Sequence, residues 1–202
     1  MLVLPAVHAI ILAGGSGRRL GYLAKADIRL AGRRLLDIVL DGIAPVAKGT
    51  CVVVAPESVS VPAGVTRTLE DPPGGGPLAG IGAGLAAIGA AEEAWVLVCG
   101  VDTPAAGAIA PLLVDALRTH PECDGALVVG GRPEPFRQYL QAIYRLDALS
   151  DALRTAGDLR DRGVTGALRV LNLVEVPVTP DRCRDLDTPA DLAWWRARMA
   201  AS

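Results

Sequence analysis

Val7-His8-Ala9-Ile10-Ile11-Leu12-Ala13-Gly14-Gly15-Ser16-Gly17-Arg18-Arg19-Leu20-Gly21, with Lys25 just beyond, is the stretch that decides the fold. Val7–Leu12 is apolar apart from one histidine. A run of that length without polar alternation reads as a strand buried on both faces, as in a parallel sheet. The glycines that follow let the backbone turn sharply and approach a ligand closely. N–H groups exposed on such a turn cradle phosphate oxygens, and Arg18, Arg19 and Lys25 add positive charge beside them. No Gly-Lys-Ser/Thr closes the turn, so it is not a P-loop. After Gly15 and Gly17 the third position of a GxGxxG pattern is Leu20, so it is not the dinucleotide fingerprint either. The plain alternative is a tight turn with solvated arginines.

Outward from this stretch, short apolar runs alternate with helical ones. The patterns predict helices over 35–46, 78–90, 109–119, 146–156 and 189–199. They predict strands over 50–55, 65–69, 95–99, 125–129 and 139–144, and a late strand region over 168–178. Residues 72–77 (PPGGGP) form neither helix nor strand interior and are a loop. Strand and helix alternating, with continuous apolar strands, predicts an α/β chain: a mostly parallel central sheet with helices on both faces, three layers in all. At 202 residues it is expected to be a single domain.

Half the residues are apolar, mostly Ala, Val, Leu and Gly, with only three Trp, three Tyr and one Phe. Such small side chains favour close helix-on-sheet packing. A formal charge of −2 offers no broad field for nucleic acid or acidic membranes, so an anionic ligand has to be held by a few local cations. Cys51, Cys99, Cys123 and Cys183 form no CxxC pair, and no histidine cluster accompanies them, which argues against zinc. Cys51 and Cys99 lie in strand-like runs and read as core residues. The apolar N-terminus lacks a basic segment and runs into the glycine turn. It therefore reads as a buried strand, and a cytoplasmic protein is expected. No apolar run reaches membrane-spanning length.

In open parallel sheets, ligands sit beyond the carboxyl ends of the strands. Cys99-Gly100-Val101-Asp102-Thr103-Pro104 places a carboxylate there, either as a helix cap or as a magnesium ligand sharing the ion with phosphate oxygens. Asp185-Leu186-Asp187-Thr188-Pro189-Ala190-Asp191-Leu192 repeats the Asp-Thr-Pro pattern before a helix. Thr188 is a capping candidate and Asp187 a second metal carboxylate. Between the glycine turn and the first of these, Glu70-Asp71-Pro72-Pro73-Gly74-Gly75-Gly76-Pro77-Leu78-Ala79-Gly80-Ile81 offers backbone donors and acceptors to a flat ring, and Asp71 an acceptor for a ribose or base N–H. The dense charges of residues 154–162 (RTAGDLRDR) read as an exposed loop or helix end, with a grip on substrate phosphate as the alternative.

With these motifs in hand, the sequence resembles the molybdenum cofactor guanylyltransferases. LAGGSGRRLGYLAK (residues 12–25) resembles that family's nucleotide signature. Asp71 with Gly76-Pro77-Leu78-Ala79-Gly80 resembles its second motif, Asp102-Thr103-Pro104 its metal-binding strand end, and residues 185–192 its late Asn/Asp-Thr-Pro segment. The resemblance implies a Rossmann-like nucleotidyltransferase that uses GTP and Mg2+, with Mn2+ as a substitute. It would attach GMP to the phosphate of molybdopterin and release pyrophosphate. Carried over by position, Leu12, Ala13, Gly14, Gly15 and Lys25 contact the nucleotide, and Arg19 steadies the triphosphate. Asp71 meets the nucleoside end beside Gly76, Pro77, Leu78 and Gly80. Asp102 binds the metal with Asp187 near it, and Arg19, Lys25 and Asp102 carry the chemistry. The implied partners are GTP, the phosphorylated pterin and, in passing, a molybdenum-insertion protein or recipient enzyme. The chain departs from the family's pattern at Ala24, Leu20, Ala55-Pro56, Asp185 and Asp187. These departures leave open CTP as donor, a sugar or lactate phosphate as acceptor, or a non-catalytic nucleotide-binding module. A dinucleotide-dependent oxidoreductase would need the missing glycine spacing and an acid after the second strand, where Ala55-Pro56 stands.

Overall fold

Val7–Leu12 is an interior strand, β1, of a seven-stranded sheet seen in a computed structural model that describes residues 6–15, 20–21, 24–89 and 93–200. β1 pairs in parallel with Cys51–Val54 (β4) on one side and with Trp95–Gly100 (β6) on the other. A small hairpin, Arg29–Leu30 (β2) and Arg33–Arg34 (β3), precedes β4 outside this sheet. Its turn, Ala31-Gly32, takes positive φ at both residues, the conformation that matches hairpin twist. Thr66–Thr68 (β5), Gly125–Gly130 (β7), Phe136–Arg145 (β8) and Leu173–Pro177 (β9) complete the sheet in the order β5-β4-β1-β6-β8-β7-β9. β8 runs antiparallel to both its neighbours; every other pairing is parallel. β1 and β6 are buried almost throughout because each is covered on both faces, as their unbroken apolar runs required.

One face of the sheet is covered by Leu35–Ile43 (α1) and Ala106–Thr119 (α3), which pack Leu36, Val39, Ile109 and Leu113 on Ala9, Ile11, Val53 and Leu97. The other face is covered by Pro77–Ile88 (α2), Leu146–Ala156 (α4) and Val164–Leu168 (α5), over Ile10, Val54, Val98 and Tyr144. This is the three-layer Rossmann-like arrangement. The last helix, Pro189–Ala200 (α6), closes a smaller core in which Leu192 and Trp195 meet Ile28, Leu30, Leu35 and Leu186. Among the described residues no helix is long and apolar enough to cross a membrane.

α2 is helical despite its glycines because two of them face the sheet. A side chain at Gly84 would meet Ile10 at 2.7 Å, and one at Gly80 would meet Leu12 at 3.0 Å. Small residues on that side draw the start of the helix down onto the strand ends. The late strand region expected over 168–178 divides instead. Leu168 ends α5 with its side chain fully buried beneath it, and the strand begins only at Leu173. The helix expected over 35–46 stops at Ile43, and the 154–162 segment leaves the helix after Ala156, at Gly157 with φ +74°. All four cysteines are free; burial pushes the Cys51 thiol up to about 11 and Cys99 higher still.

Candidate active site

The carboxyl ends of β1, β4 and β6 open into one cavity of about 420 Å3. Leu12, Val54 and Gly100, the last residues of those strands, line it. So do Gly14, Gly15, Lys25, Glu70, Gly74, Gly76, Pro77, Gly80 and Asp102. The glycine turn, the 70s loop and the β6 strand end, distant in sequence, therefore face a single space. That is where ligands bind in open α/β sheets.

Lys25 begins a 3-10 turn and is held under the glycine turn by its own N–H, which donates to Gly15 O at 3.3 Å. Its ammonium donates to Asp102 Oδ2 at 2.6 Å and, closer still, to Asp187 Oδ1. Burial would lower the lysine's pKa. The charge and hydrogen bond of Asp102, joined by those of Asp187, outweigh it and hold the group above its ordinary value. Asp102 caps no helix, since α3 starts at Ala106. Its carboxylate folds back over Gly100, where any side chain would collide with it.

Asp187 reaches this point because its neighbours are tied down. Thr188 Oγ1 accepts from Asp191 N at 3.2 Å, and the Asp191 carboxylate accepts from Thr188 N at 2.9 Å, a reciprocal cap at the start of α6. Asp191 is thus occupied and Asp187 is left facing Lys25. On the other flank Leu186 N donates to Asp102 O at 2.8 Å. Asp185 is withdrawn from the cavity and accepts from Thr103 Oγ1 and Gln141 Nε2. Burial first, then the charges of Asp102 and Asp187, push its carboxyl up to about 7.

Among the described residues no three His, Cys, Asp or Glu side chains converge on a point that would hold a metal unaided. Asp102 and Asp187 are a pair. Two carboxylates holding one cationic group suit an ion that takes its remaining ligands from phosphate and water. The two carboxylates are donors of the kind a divalent cation takes, and here the ammonium lies between them.

Not every expected contact faces the cavity. Ala13 is 1% exposed and packs in the core, its N–H donating to Val54 O at 2.8 Å. Leu78 is fully buried against the sheet, because the first turn of α2 directs it inward. Asp71 lines a neighbouring groove of about 770 Å3 between α2 and residues 158–160. Glu70 borders both the groove and the cavity, whereas Asp71 borders the groove. Glu70 Oε1 accepts from Gly74 N at 3.0 Å and Gly75 N at 3.3 Å, shaping the glycine loop from within. From outside, Arg160 Nη1 donates to Pro72 O at 2.9 Å and Asp161 N to Gly75 O at 2.7 Å. The charged 154–162 segment is therefore a strap on the loop rather than a bare surface. Glu70 was legible only as an acid beside glycines, and nothing in the local sequence pointed from Arg160 to Pro72. Arg18 and Arg19 lie outside the described residues.

Comparison with known proteins identifies the family. A probable molybdenum cofactor guanylyltransferase of Mycobacterium ulcerans is 31% identical over 189 residues, covering 91% of this chain and 90% of the relative. Among solved structures, molybdopterin-guanine dinucleotide biosynthesis protein A of Archaeoglobus fulgidus superposes with a TM-score of 0.68 at 24% identity, covering 96% of this chain and all of that one. The 2-C-methyl-D-erythritol 4-phosphate cytidylyltransferase of Thermus thermophilus superposes at 0.73 with 18% identity, covering 97% of this chain and 100% of that one. Those two likenesses establish the fold. Because the MobA-like NTP transferase domain matches residues 9–175 and the mycobacterial relative matches nearly end to end, the chain belongs to the MobA-like family of nucleotidyltransferases.

Proposed function

We propose that this chain transfers GMP from GTP to the phosphate of a molybdopterin-type acceptor and releases pyrophosphate. The observation that carries the reading is that Lys25 and Asp102 line one cavity with Gly14 and Gly15, and that Lys25 also binds Asp187. The name of the mycobacterial relative supports GMP as the transferred group.

In this reading the N–H groups of the glycine turn bind phosphate oxygens, and Lys25 neutralises charge that develops on the departing pyrophosphate. Arg19, from the same turn, supports it. Glu70 holds the Gly74-Gly75 backbone in the shape that meets the nucleoside, with Gly76, Pro77 and Gly80 beside it. Asp102 and Asp187 would hold a divalent ion, Mg2+ or in its place Mn2+, which when bound would neutralise charge on the phosphates. No general base is needed, since a phosphate nucleophile is already ionised near neutral pH. Of the two histidines, His8 is enclosed in β1 and His120 follows α3.

Incubating the protein with GTP, CTP, ATP or UTP, magnesium and molybdopterin, followed by mass analysis and a pyrophosphate assay, tests the reading. GTP should yield a pterin dinucleotide with stoichiometric pyrophosphate. Product from CTP in preference to GTP would overturn the choice of base. Absence of pyrophosphate with every donor would overturn transfer to a molybdopterin-type acceptor.

A further inference from the structure

Two glutamines sit where the packing argues against them. Gln138 and Gln141 on β8 are 8% and 4% exposed, and Gln141 Oε1 is buried without a partner. A buried amide that leaves an acceptor unsatisfied destabilises the fold. The contacts its other end makes show what the side chain does. Gln141 Nε2 lies 2.8 Å from Gln138 Oε1, 3.3 Å from Cys183 O and 3.4 Å from Asp185 Oδ1. Gln138 Nε2 in turn donates to Gly130 O at 3.2 Å. In a regular strand, residues three apart point to opposite faces. Here the register between β7 and β8 jumps from Leu127↔Ala142 to Val128↔Gln138, an irregularity that brings the two amides together.

The chain they hold is the one that carries Asp187. Cys183 O and Asp185 are its upstream anchors, and the Thr188–Asp191 cap is its downstream one. We propose that Gln141, braced by Gln138, is a positioning residue that fixes the 183–187 loop so that Asp187 stands opposite Asp102. Neither amide lines the cavity. The proposal rests on the nucleotidyl-transfer reading for its consequence but not for its geometry. It requires that loosening this brace affect turnover more than donor binding, because the hydrogen bonds of the two amides go to Gly130, Cys183, Asp185 and each other and to none of Gly14, Gly15, Lys25 or the 70s loop.

The test uses full-length Gln141→Leu, which keeps the bulk and removes the amide, beside Leu117→Ala, a core change near the far end of α3. Hydrogen exchange followed by mass spectrometry reads the backbone of residues 183–188, and steady-state kinetics reads kcat and KM for the NTP. Gln141→Leu should speed exchange in that segment about tenfold and lower kcat by roughly 10-fold or more, the size typical of losing an outer support. KM for the NTP should stay within about twofold, and Leu117→Ala should leave the segment's exchange unchanged. If Gln141→Leu fails to fold, Gln138→Leu should show the same changes at smaller size. Wild-type exchange in the segment, equal loosening by Leu117→Ala, or a raised KM with kcat intact overturns the proposal. If the wild-type protein forms no product with any donor, the functional reading fails, and segment exchange alone then upholds or overturns the brace.

Discussion

Lys25 Nζ lies 2.6 Å from Asp102 Oδ2, joining the end of the glycine turn to the end of β6 across 77 positions of sequence. The same ammonium also contacts Asp187, 162 positions away. One side chain thus ties together three segments that the sequence keeps apart, and it is partly buried, so the attachment is screened less than a surface pair.

Removing that ammonium should be felt in catalysis first. Lys25→Met keeps the length of the side chain and discards the charge. A group aimed at developing charge is typically worth about 100-fold to 1,000-fold in rate, so transfer should fall by at least about 100-fold in a pyrophosphate-release assay. Asp102→Asn should fall similarly. Turnover near the wild-type value in either variant would show that the ion pair serves stability alone.

The glycine loop is held by Glu70 within and by Arg160 outside, and the two should differ in weight. Glu70→Ala leaves Gly74 N and Gly75 N without their acceptor, and KM for the nucleotide should rise about tenfold, the equivalent of roughly 1.4 kcal/mol. Arg160 is nearly half exposed, so Arg160→Ala should raise KM only a few-fold. Titration with nucleotide, followed by tryptophan fluorescence or calorimetry, separates the two. Equal affinities for wild type and Glu70→Ala would remove the loop from the nucleotide site.

α1 and α3 meet through a pair of glycines. A side chain at Gly107 would come within 2.6 Å of Gly42 Cα, backbone against backbone, so nothing flexible can yield. Gly107→Val should destabilise by about 3 kcal/mol, the upper part of the usual overpacking range. That lowers Tm by roughly 6–12 °C for a chain of this size. Gly166→Ala in α5 meets nothing within 4 Å and should leave Tm unchanged or slightly raised. Thermal unfolding of both variants checks the contrast, and an unaltered Tm for Gly107→Val would mean the helices separate without loss.

His8 supplies the pH dependence. It is buried in β1, its Nδ1 accepts from Thr50 N at 2.9 Å, and burial lowers its pKa from the ordinary 6.5. The folded form therefore binds fewer protons than the unfolded chain below pH 6.5. This contribution to stability is complete above that value and is lost as pH falls through the folded pKa. His8→Gln, which retains an acceptor for Thr50 N, should flatten the stability curve on the acid side of pH 6.5. Denaturant midpoints measured across that window decide it, and parallel curves for the two proteins would exclude His8 as the source.

Periodicity and turn chemistry were enough for the layers. The unbroken apolar runs of β1 and β6 required cover on both faces, and α4 spans the residues its spacing predicts. The glycine turn and the Asp-Thr-Pro segments marked candidate residues because their chemistry is local: donors on a tight turn, carboxylates after a strand. What lay beyond the sequence was direction and partnership. Glu70 and Asp71 are adjacent acids, and only the path of the chain decided which of them reaches the cavity. Leu78 sits in a glycine-rich motif, yet the first turn of its helix drives it into the core. Gln141 reads as one polar residue in an apolar strand until a shift of register sets it against Gln138 and the 183–185 backbone. These choices depend on contacts between residues tens of positions apart, whose cost in chain entropy is met only when the whole sheet forms. No local pattern records them.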